Sequence, residues 1–142
     1  MYEKWKSRAF PYKIRTKCEH IFFTPREGGR MEETMQNEYE LKKLMCDIGK
    51  RIYDRNMVAA NDGNISVKLN DNEFLCTPTG VSKGFMTPDF ICKVDAQGNV
   101  IQANKGFRPS SEIKMHMRVY QKRPDVGAVV HAHPTFATSF AI

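Results

Sequence analysis

Over residues 32–56 the apolar positions Leu41, Leu44, Met45, Ile48 and Ile52 recur at the spacing of one helical face. Lys42, Lys43, Asp47, Lys50 and Arg51 fill the rest, and that period predicts an amphipathic helix. Residues 61–64 form a turn cluster, after which residues 65–69 alternate as a half-buried strand does. Asn70-Asp71-Asn72 predicts a hairpin turn that returns into a second strand at residues 73–77. Residues 78–84, with two glycines and a proline, read as a loop. Residues 90–94 and 100–103 read as strands around a turn at 95–99. A second helix is expected from residues 109–112 to about Arg123, where Pro124 helps to stop it. Residues 127–131 form an apolar run of the buried-strand kind, and Pro134 opens a last helix. Hairpin strands between flanking helices predict an α/β layered domain.

Residues 1–30 break this pattern: basic and aromatic residues mix without a sustained period and end in a glycine pair. They are expected to form a basic, poorly ordered extension (1–31) to a domain at 32–142. The net charge of +6 sits mostly there, with 8 Lys/Arg against 3 Asp/Glu in residues 1–30 and 14 against 13 in the remainder. The domain itself is therefore nearly neutral, which argues against nucleic acid as a partner. No apolar run is long enough to cross a bilayer, and no signal-peptide stretch follows the basic start, so a cytoplasmic location is expected. Cys18, Cys46, Cys76 and Cys92 form no C-x-x-C pair and have mainly apolar neighbours, which predicts buried, reduced thiols.

Candidate chemistry concentrates in four places. His131-Ala132-His133 closes the apolar run, and residues i and i+2 of a strand project to one side. Two imidazoles side by side suit a divalent metal such as zinc. Zinc in catalytic proteins takes about three protein ligands, and His20 and His116 are poorly placed to be the third. His116 reads as a packed or surface histidine within a helix. Ser110-Ser111-Glu112 opens a helix, where hydroxyls and free N–H groups bind phosphate and Glu112 could act as an acid/base. Asp62-Gly63-Asn64 and Thr77-Pro78-Thr79-Gly80 are polar glycine turns that let the backbone approach an anion. Lys83 reads as a solvated loop lysine.

Taken in order, Asn61-Asp62-Gly63-Asn64-Ile65-Ser66, Thr77-Pro78-Thr79-Gly80, Ser110-Ser111-Glu112 and His131-Ala132-His133-Pro134 resemble the class II aldolase/adducin family over about residues 35–142. The resemblance implies a three-layer α/β/α domain with a central, mainly antiparallel sheet, and assembly into a homotetramer. It implies that Gly63, Asn64, Thr79, Gly80, Ser110 and Ser111 hold a substrate phosphate, that His131 and His133 bind Zn2+, and that Glu112 is the acid/base. The implied activity is zinc-dependent retro-aldol cleavage of a phosphorylated ketose through a metal-stabilised enediolate. A pentulose-phosphate 4-epimerase or sugar-phosphate dehydratase would use the same site, and a non-catalytic adducin-like module would share the fold. Family members carry a third zinc histidine downstream of the pair, and this sequence does not. The domain is therefore expected to be C-terminally incomplete, with a bare sheet edge.

Overall fold

The structure is a computed structural model and describes residues 31–141. The expected N-terminal extension, with Cys18 and His20, lies outside the described residues. Helix α1 (Met31–Asp54) precedes strands β1 (Asn64–Lys68) and β2 (Glu73–Cys76). Two 3-10 turns, Lys83–Phe85 and Pro88–Phe90, lead to β3 (Cys92–Asp95) and β4 (Val100–Gln102). Then come α2 (Ile113–Lys122), β5 (Ala128–His131) and the short α3 (Thr135–Ser139). The sheet runs β4-β3-β2-β1-β5, and all four pairings are antiparallel.

Strand alternation builds the layers, because successive side chains point to opposite faces. On one face Ile65 and Leu75 pack with Met45 of α1, and with Met86 and Ile91. On the other, Phe74, Cys76, Cys92 and Val94 pack with Ile113, Met117 and Tyr120 of α2. The sheet is thus sandwiched between helices, the α/β/α arrangement expected. Leu75 is fully buried, so truncating it to alanine costs about 2–5 kcal/mol. Glu38 of α1 ion-pairs with both Lys42 and Lys93, which ties the helix to β3.

Three local expectations change. Leu44 is half-exposed, off the buried stripe that Met45, Ile48 and Ile52 form. β3 starts at Cys92 and not at Phe90, because Pro88 begins a 3-10 turn and Phe90 stacks on Phe107 with ring centroids 4.3 Å apart. β5 is not a buried strand. Among the described residues it pairs with β1 alone, and Val130 is 48% exposed.

Candidate active site

The end of the sheet where β1 begins and β2 and β5 end gathers the polar turns into one open cleft of about 350 Å³. Gly63, Asn64, Thr79, Gly80, Ser110, Ser111, Glu112, His131 and His133 all line it, as does Asp62. The sequence scatters these residues over seventy positions, and backbone pairing assembles them. Asn64 sits opposite His131 in the β1–β5 register. The Thr79 N–H donates to Arg108 O and the Ser110 N–H to Thr77 O, which zips the second glycine turn to the segment before α2. Thr77 is fully buried, and its Oγ1 accepts from the Ile65 N–H at 3.1 Å, locking that turn onto β1.

Glycine is required at the first turn. Gly63 has φ +73°, and a Cβ there would stand 2.5 Å from Val58 Cγ1 and 2.8 Å from His131 O. Gly80 has φ +72°, but a Cβ there would meet no atom within 4 Å. It borders open cleft, where a ligand can approach the backbone closely. α2 begins at Ile113, so Ser110, Ser111 and Glu112 form the turn that leads into it. The Glu112 N–H donates to Ser110 Oγ, and the Glu112 carboxylate makes no capping bond.

The imidazoles meet by a different route from that expected. β5 ends at His131, and His133 lies beyond it, held by its N–H donating to Met57 O at 2.9 Å. The ring centroids are nevertheless 4.6 Å apart. Two imidazoles on one tetrahedral zinc, with Zn–N near about 2.1 Å, place their centres roughly 5 Å apart, so the pair fits two coordination positions. Among the described residues, no cluster of three or more His, Cys, Asp or Glu side chains assembles to hold a metal. Asn64 supports the fit. Its Nδ2 lies 3.4 Å from His131 Nδ1, and its buried Oδ1 has no partner. Turning the amide over lets the oxygen accept from Nδ1–H, which leaves Nε2 of His131 to donate to a metal.

Behind the cleft lies a buried polar cluster. Ser66 Oγ is 2.7 Å from His116 Nδ1 and 2.8 Å from Tyr120 OH. Burial lowers the His116 pKa to about 4 and raises that of Tyr120 to about 12, so both are neutral near pH 7. His116 is thus a packed histidine, and its link to Ser66 went unread in the sequence. The available signal was a His and a Tyr four residues apart on the otherwise apolar face of α2. Lys83 is a correction: it is 1% exposed and not solvated. Cys76 and Cys92 are buried free thiols, Cys46 is a half-buried one, and burial pushes the thiol pKa of each up.

The model of the Class II Aldolase and Adducin N-terminal domain matches residues 43–142. The chain belongs to this family. Among its class II aldolase relatives, an L-fuculose phosphate aldolase of Methanococcus maripaludis is 39% identical over 66% of this chain and 49% of its own length. A 3-oxo-tetronate 4-phosphate decarboxylase of Haemophilus influenzae is 37% identical over 70% of this chain and 46% of its own. The chain spans about half the length of the curated relatives it matches. An L-fuculose 1-phosphate aldolase structure from Glaciozyma antarctica PI12 superposes with a TM-score of 0.69, at 22% identity, over 75% of this chain and 45% of that one. It shares the class II aldolase fold. Among the described residues, no helix is long and apolar enough to cross a membrane.

Proposed function

We propose that the cleft binds a phosphorylated ketose and cleaves it by a retro-aldol reaction, with zinc held by His131 and His133. One observation carries this: a metal-fitting imidazole pair, a carboxylate and a cradle of glycine turns and serine hydroxyls line a single cleft. In this reading the Gly63–Asn64 and Thr79–Gly80 turns, with Ser110 and Ser111 ahead of α2, hold the phosphate through N–H and hydroxyl donors. That anchors one end of the substrate and leaves the other beside the histidines. Bound zinc supplies a Lewis acid that draws charge from the substrate's oxygens. Glu112 moves the proton. As the C–C bond breaks, the Glu112 carboxylate takes the proton of the hydroxyl that becomes the aldehyde, and then delivers that same proton to the carbon left with the electron pair, forming its C–H bond and restoring the carboxylate. We also propose that the protein works as a homo-oligomer, tetrameric by family resemblance.

The decarboxylase relative favours a second reading at the same site. Loss of CO2 leaves the same kind of electron pair on carbon, to be quenched by the same acid. Epimerisation would use the same retro-aldol cleavage followed by re-addition of the aldehyde to its other face, and dehydration would break a C–O bond and release water after proton abstraction at the same site. Product analysis on a panel of phosphorylated ketoses and keto acids separates them: an aldehyde supports the aldolase, and CO2 supports the decarboxylase. Glu112→Gln is expected to slow turnover by about 10²-fold or more. An unchanged rate in Glu112→Gln would overturn the acid/base role of Glu112, and no turnover with any substrate would favour the non-catalytic adducin-like reading.

A further inference from the structure

Lys83 is buried, where an ammonium is costly unless it is hydrogen-bonded and paired. Its Nζ donates to Asn61 O at 3.1 Å and to Val81 O at 2.5 Å. Asn61 opens the first glycine turn of the cleft, and Val81 directly follows Gly80 of the second. One side chain therefore joins the two turns from behind. The position is held firmly: a Cβ at Gly49 of α1 would stand 2.8 Å from Lys83 O and 2.5 Å from Met86 Cε. α1 thus packs directly on the Lys83–Phe85 turn, and no longer residue at Gly49 allows that approach. Burial pulls the lysine pKa down, and the nearby carboxylate of Asp62 pushes it back. Asp62 is exposed and lines the cleft, so it is only a partial counter-charge.

Resting on the phosphate reading above, we propose that Lys83 is a positioning residue that clamps the two glycine turns and supplies the positive charge behind a bound phosphate. Two carbonyls and an exposed carboxylate leave the ammonium under-compensated when the cleft is empty. A dianionic phosphate held by the same two turns completes the pairing. Electrostatic attraction is strong in such a part-buried setting, where the effective dielectric is low.

The test is isothermal titration of inorganic phosphate into the parent chain, Lys83→Met and Lys83→Gln, with zinc content measured alongside. Glutamine keeps an amide donor for the two carbonyls but carries no charge, and it is the variant to read where methionine fails to fold. The expected result is phosphate binding weakened at least tenfold in both, with zinc at the His131–His133 pair unchanged. Binding within twofold of the parent in either folded variant would overturn the role of Lys83 and leave the phosphate site standing. No phosphate binding by the parent would overturn the phosphate reading itself.

Discussion

At the scale of single residues, the cleft is shaped by what its turns exclude. Gly63→Ala must force a Cβ into Val58 and the His131 carbonyl while holding a left-handed backbone. The expected cost is about 2 kcal/mol or more, read as a lowered urea midpoint. Because His131 O is one of the atoms displaced, zinc affinity should fall in the same variant. Gly80→Ala is the control, with backbone strain but no collision, so it should lose about 1–2 kcal/mol and keep zinc. That the nine candidate residues line one cleft accords with the four motifs that carried the family resemblance, since each motif alone reads as an ordinary turn or strand end. The burial of Lys83 was not legible in the sequence. Nothing in Val81-Ser82-Lys83-Gly84 marks the lysine as buried, since its burial comes from α1 closing over it at Gly49.

At the scale of elements, α2 and the β1–β5 pair are joined by the Ser66, His116 and Tyr120 cluster. Ser66 lies two residues from Asn64 and opposite Val129, and His116 one turn beyond Glu112. The cluster thereby fixes the first turn of α2 against the strand ends that carry the imidazole at His131. Ser66→Ala leaves a buried imidazole and a phenol without their shared partner, at a cost of about 1–3 kcal/mol. The unfolded chain takes up the His116 proton near pH 6.5, whereas the folded chain resists it until about pH 4. The unfolded state therefore binds more protons in that window, and stability falls as pH is lowered through it. From pH 7 to pH 5 the loss from this group is about 2 kcal/mol. Urea unfolding at the two pH values should show that difference, and His116→Gln should remove it. The helices and hairpins were legible because period and turn chemistry are properties of adjacent residues. The bare edge was expected only through the family resemblance, since an apolar run reads the same whether neighbours cover it or leave it open.

At the scale of the whole molecule, β5 is an outer strand among the described residues, and Val130, Phe136 and Phe140 there are 48%, 82% and 90% exposed. Unpaired strand edges beside apolar surface favour pairing with another chain. Light scattering after gel filtration should show concentration-dependent association, and Val130→Lys should reduce it. The three-layer architecture was legible from the alternation of helices and hairpins, and from the order of the four motifs. In the proposed reading the levels meet where His131 at the end of β5, and His133 beyond it, line one cleft with the polar turns around β1, β2 and the approach to α2. The most direct test is elemental analysis of the purified chain beside its His131→Ala, His133→Ala double variant. Stoichiometric zinc in the parent and none in the variant is the expected result. Equal metal content in the two would contradict a metal site at this histidine pair.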